Sequence, residues 1–119
     1  MKAETKFDPE GKRIWIDLVG FADAKQTEFA VDEFEASLTT FPVDEFSLVI
    51  NCREMATFKP EILPILERCY KLYEKFYQCI MINPEQTIAK IQIQRVARST
   101  DFSGTFVATP EEAWNILNR

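Results

Sequence analysis

Two neighbouring stretches decide the fold: Phe46-Ser47-Leu48-Val49-Ile50-Asn51-Cys52, and Pro60-Glu61-Ile62-Leu63-Pro64-Ile65-Leu66-Glu67-Arg68-Cys69-Tyr70-Lys71-Leu72-Tyr73-Glu74-Lys75-Phe76-Tyr77. The first is apolar almost without a break, the pattern of a strand covered on both faces. The second has helical periodicity. At about 100° per residue, its apolar positions from Ile62 to Tyr77 fill one contiguous arc of roughly 180°. Glu61, Glu67, Arg68, Lys71, Glu74 and Lys75 hold the other half. So wide an arc exceeds what one sheet covers, so part of it is expected to meet a second helix or a partner. Pro60 suits a first helical position. Pro64 removes an early backbone hydrogen bond, which predicts a kinked or frayed first turn.

Outward from this pair the chain alternates. Residues 3–7 and 13–19 read as a hairpin turned by Asp8-Pro9-Glu10-Gly11, with Ile14, Ile16 and Leu18 alternating against Trp15, Asp17 and Val19, and Gly20 closes the second strand. Residues 24–41 predict a helix whose apolar face carries Ala24, Ala30, Val31, Phe34, Leu38 and Phe41, while Phe29 projects to the charged side. Residues 78–82 form another buried strand. Asn83-Pro84-Glu85-Gln86 supplies a cap for a helix to about residue 98. Within that helix Ile91-Gln92-Ile93-Gln94 alternates like a strand, and the apolar positions spread widely around the wheel; the cap decides for helix. A short strand follows at 105–108. Thr109-Pro110-Glu111-Glu112 is a capping box launching a last helix. The expected fold is α/β, one domain over residues 1–119, β-β-α-β-α-β-α-β-α, with a mostly parallel sheet and an antiparallel first strand. Val49, Ile50, Leu66, Cys69, Phe76, Ile80 and Ile82 are the expected core.

Composition excludes several functions. Of 119 residues, 46% are apolar and 28% charged, which is ordinary for one globular domain. A net charge of -5 with scattered Lys and Arg argues against nucleic acid as a partner. No apolar run approaches the roughly 20 residues needed to cross a bilayer. Met1-Lys2-Ala3-Glu4-Thr5-Lys6 lacks a signal peptide's apolar segment, so a cytoplasmic location with no membrane partner is expected. Cys52, Cys69 and Cys79 match no zinc spacing, and there is no histidine. All three are expected as small buried hydrophobes, with no metal or cofactor. Cys52 ends a strand where α/β proteins gather reactive groups, but no imidazole can activate it and Arg53 is balanced by Glu54. Without His, a nucleophile paired with a base, or a Gly-rich phosphate loop, no enzyme is expected.

Four segments, in this order and spacing, resemble the STAS domain family, the anti-sigma-factor antagonists and their relatives. They are Ile16-Asp17-Leu18-Val19-Gly20, Leu48-Val49-Ile50-Asn51-Cys52, Asn83-Pro84, and Phe106-Val107-Ala108-Thr109-Pro110-Glu111-Glu112-Ala113. The resemblance spans nearly the whole chain. It implies a fold in which the loop before the second main helix, and that helix's first turns, dock a kinase-like anti-sigma factor or another regulator. The family's Asp-Ser-Ser-Gly, with its phosphorylatable serine, falls here on Lys59-Pro60-Glu61-Ile62. There is no hydroxyl and no Gly, and the usual strand-ending aspartate is Asn51. A serine switch is therefore not expected, and Glu61 would hold a fixed negative charge where the phosphate would sit.

These readings single out Met55-Ala56-Thr57-Phe58-Lys59-Pro60. The functional reading makes Met55 and Phe58 exposed anchors for a protein, joined by Thr57, Lys59 and Glu61. The plain reading tucks both apolar side chains under the sheet end. Thr57 is the only nearby hydroxyl and hence the one candidate phosphosite. Phe29 and Asp23 are secondary partner-facing candidates, although Asp23 reads better as a helix cap than as part of an acidic group with Asp17 and Glu54. A non-catalytic regulatory binding module is the leading expectation. The alternative is self-assembly, a homodimer formed through Phe29 and the apolar face of helix 60–77. A small enzyme or ligand-binding protein comes third.

Overall fold

The continuous apolar run around Leu48 to Ile50 becomes the centre of the sheet, because only a middle strand is covered on both faces. The structure is a computed structural model describing residues 2–20 and 23–119. In chain order the elements are β1 (Lys2–Asp8), β2 (Arg13–Gly20), α1 (Ala24–Ser37), β3 (Ser47–Met55), α2 (Leu63–Tyr73), β4 (Gln78–Ile82), α3 (Thr87–Ser99), β5 (Thr105–Val107) and α4 (Pro110–Leu117). The strands lie side by side in sequence order; β1 is antiparallel to β2 and the other neighbours run parallel. This is the expected mixed α/β architecture. Among the described residues no helix is long and apolar enough to cross a membrane.

Strand order dictates the layers. From β2 to β5 the chain always steps the same way, so right-handed crossovers set α1, α2 and α3 on one face. The larger core forms there, from Ile14, Ile16, Leu48, Ile50 and Met81 of the sheet against Val31, Leu66, Tyr70 and Ile93 of the helices. Only α4 backs the other face, where Val49, Ile80, Ile82 and Val107 pack on Ala113. Every residue named as expected core is buried.

The wide apolar arc of α2 is shared between two helices. Phe34 of α1 meets Tyr73 edge-on and stacks on Phe76, while Arg68 bridges Asp32 and Glu35 at 2.7 and 2.8 Å. On the other flank the Tyr70 hydroxyl donates to the Ile93 carbonyl of α3 at 3.4 Å. Self-association through this face is thereby corrected: the apolar face is spent inside the molecule, and of its aromatic residues only Tyr77 is largely exposed.

Boundaries shift for local reasons. α1 ends at Ser37 instead of about residue 41, because the hydroxyls of Ser37, Thr39 and Thr40 bond back to the carbonyls of Phe34, Ala36 and Ser37. Pro60–Ile62 is a 3₁₀ turn, since Pro64 has no N–H to give Pro60 and the Leu63 N–H takes that carbonyl instead. α3 is capped by Gln86, whose side chain accepts from Ala89 N at 2.6 Å, and not by Asn83. The backbone around Asn83 is tied elsewhere: its N–H donates to Val107, and that of Glu85 to Arg53. The Leu66→Ala variant is expected to lose about 2–5 kcal/mol of stability, measured by urea unfolding, because Leu66 is 5% exposed between sheet and helices.

Candidate functional site

Parallel strands deliver their connections to one edge, so the loop from β3 to α2, the start of α3 and the Asp23 cap of α1 all lie at the carboxyl end of the sheet. Asp23 accepts from Gln26 N at 3.0 Å, the capping role. Asp17 does not join it in an acidic group. Its carboxylate accepts from Trp15 Nε1 at 2.9 Å and from Asn51 Nδ2 at 2.8 Å on the α4 face. Asn51 thus supplies a donor, where an aspartate would set a second carboxylate against the first.

The β3–α2 loop departs from the exposed-anchor expectation. Met55 is 2% exposed and Phe58 7%, both inside the main core. The physical reason is that β3 runs on to Met55, paired with Gly20, which carries the following residues in under α3. There Gln92 grips the loop by both ends of its amide: Phe58 N donates to Oε1 at 3.1 Å, and Nε2 donates to the Phe58 carbonyl at 2.9 Å. What reaches solvent is Lys59, Pro60 and Glu61, with Thr57 half-buried. Phe29 stands 64% exposed on the outer face of α1. α2 lies between α1 and α3, so Phe29 does not join the exposed isoleucines of α3.

Sequence reasoning missed two exposed isoleucines beside the loop. Ile88, one helical turn before Gln92, is 59% exposed, and Ile91 is 48% exposed. Their signal was the wide spread of apolar positions around the α3 wheel: Ala89, Ile93, Val96 and Ala97 face the core, and the two isoleucines are surplus to it. The carboxyl end therefore carries Lys59, Pro60 and Glu61 on a loop locked from beneath, with Ile88 and Ile91 exposed on α3.

A second concavity was invisible in the sequence. Between the β1–β2 hairpin and α1 lies a cavity of about 590 Å³. Ile14, Ile16 and Leu18 form its floor, and Val31, Phe34 and Tyr73 its wall. Thr27 also lines it. That residue is 4% exposed and its Oγ1 has no hydrogen-bond partner. On the opposite face a smaller hollow of about 300 Å³ sits by the stacked Trp15 and Trp114 rings.

All three cysteines are free and buried. Burial pushes the Cys52 thiol up to about 12 and that of Cys69 to about 11, from an ordinary 9.0. The Cys79 thiol is driven well above its usual value for the same reason. None presents a thiolate near neutral pH.

Two outcomes follow. Phe58→Ala removes a core ring, so a loss of about 3–5 kcal/mol in chemical denaturation is expected. The thiols also predict alkaline weakening. Their folded pKa values lie above the unfolded 9.0, so the stability they contribute is whole below about pH 9 and is lost as pH rises through 11 to 12. The midpoint of thermal unfolding should fall over that window, and less steeply in a Cys52→Ala variant.

No family model matches the chain, and neither does any curated protein. Solved structures do, and two of them are these. One is an uncharacterized DUF3478-family protein with a SpoIIAA-like fold from Shewanella loihica PV-4, 14% identical, covering 98% of this chain and 92% of its own, with TM-score 0.69. The other is the anti-sigma factor antagonist SpoIIAA in its unphosphorylated form, 15% identical, covering 98% of both chains, with TM-score 0.56. The strand order, the helix layers and these two likenesses agree: the chain has the SpoIIAA-like, STAS-type fold.

Proposed function

We propose that this chain is a non-catalytic regulatory module that grips another protein with the carboxyl end of its sheet. The observation that carries the reading is the β3–α2 connection, where Phe58 and the Gln92 clamp hold Lys59, Pro60 and Glu61 rigidly beside exposed Ile88 and Ile91. A preordered surface loses little entropy on docking, and apolar side chains rimmed by charge are what a partner's hot spot needs. The likeness to SpoIIAA, an anti-sigma factor antagonist, supports a regulator as partner. A cytoplasmic setting suits three free thiols. With Glu61 at the helix entrance and Thr57 half-buried, the grip is permanent instead of switched by phosphate.

The groove favours a second reading, a small apolar ligand with one polar end. A cavity of about 590 Å³ is of ligand size, and Thr27 Oγ1 needs a partner. Displacement of a fluorescent fatty acid, abolished in a Val31→Trp variant, would favour this reading.

The leading proposal is tested on a partner captured by affinity purification and identified by mass spectrometry. Ile91→Asp should weaken its binding isotherm by at least about tenfold while stability changes by less than about 1 kcal/mol. Phe29→Ala should leave binding unchanged. Equal affinity of wild type and Ile91→Asp would sink the carboxyl-end surface.

A further inference from the structure

The sheet has two open edges of unequal kind. β5 is three residues long, whereas β1 offers a free edge of seven residues, every one exposed. Long bare edges invite another strand and are usually blunted by charge. The charges on β1 do not blunt it against itself. Lys2, Glu4, Lys6 and Asp8 alternate in sign along one face of the strand, and Ala3, Thr5 and Phe7 line the other.

We propose that β1 binds β1 of a second copy of this chain, antiparallel and centred on Thr5, to form a two-fold dimer with a continuous ten-stranded sheet. Under a two-fold axis normal to the sheet, residues whose numbers add to ten stand opposite one another. Lys2 then faces Asp8, Glu4 faces Lys6, Thr5 faces Thr5, and the bulky Phe7 covers the small Ala3. Each interaction occurs twice except the Thr5 pair, which lies on the axis, as an isologous interface requires. Registers shifted by one step either way fail: one sets Lys2 on Lys6 and Glu4 on Glu4, the other sets Glu4 on Asp8 and Lys6 on Lys6. The centred register alone matches every charge and also overlaps the whole strand. Opposed residues share parity, so outward N–H groups meet outward carbonyls. Phe7 is prepared for this role: it is 52% exposed, yet its ring is stacked on Phe46 at 5.6 Å and held by Phe41 at 5.5 Å. This surface is independent of the docking end proposed above, which lies on the side of the β3–α2 loop and α3.

Charge reversal tests the register directly by sedimentation velocity across a concentration series. Wild type should self-associate. Lys6→Glu sets two carboxylate pairs face to face, and Glu4→Lys sets two ammonium pairs, so each alone should weaken dimerisation by at least about tenfold. The double variant Glu4→Lys/Lys6→Glu should recover it, and an equimolar mixture of the two single variants should form a heterodimer. In a separate arm, Thr5→Cys should give a disulfide-linked dimer under mild oxidation, since facing strand residues lie within about 4.5–5.5 Å at Cα and the native thiols are buried. Circular dichroism keeps misfolding apart from loss of association. A wild type that stays monomeric to about millimolar concentration overturns the proposal, because at that level even a weak pairing is populated. So does a dimer indifferent to both reversals, or a mixture that fails to associate.

Discussion

The step from β2 to β5 in one direction is the constraint on which everything else depends. Right-handed connections then have no choice of side, and three helices crowd onto one face. The crowding explains the buried anchors at the start of α2, for a helix flanked by two others draws its entrance loop inward. It also explains what is left bare. α4 alone backs the opposite face, and β1, added at the end by a hairpin, receives no helix. The groove and the free edge are both consequences of that count of helices against strands.

Much of this was legible in the residues. The unbroken run at Leu48 to Ile50, the periodicity of α2 and the Thr109 cap each carry a strong local signal, and the order of elements follows from them. The signals that misled were weaker chemistries in competition. Asn83-Pro84 has the form of a cap, but its backbone is claimed by neighbouring strands, and a glutamine three residues on does the capping. At the end of α1 the apolar spacing continues to Phe41 while hydroxyls one turn earlier close the helix. Helical wheels register burial and say nothing of side-chain bonds to carbonyls.

The candidate site was legible in place and not in character. The Met55-to-Glu61 loop does lie where parallel strands deliver their connections, yet Met55 and Phe58 hold it down instead of presenting it. An apolar residue in a loop is ambiguous in sequence, because whether it turns in or out depends on a distant clamp. Here that clamp is Gln92, which lies 34 positions further along. The exposed apolar surface belongs to α3, where the alternation of Ile and Gln had suggested a strand.

The stacked indoles have a separate use. The chain has two tryptophans, and Trp15 and Trp114 lie 5.0 Å apart, joining β2 to α4. Arg13 tightens the same junction, its guanidinium over Trp114 at 5.8 Å and bonded to the Leu117 carbonyl and the Asn118 side chain. The small core under α4 is distinct from the large one, so a local opening of this helix would leave the buried contacts of the other three in place. Tryptophan emission is thus a built-in optical gauge of the seam between β2 and α4, on the face of the sheet opposite the groove.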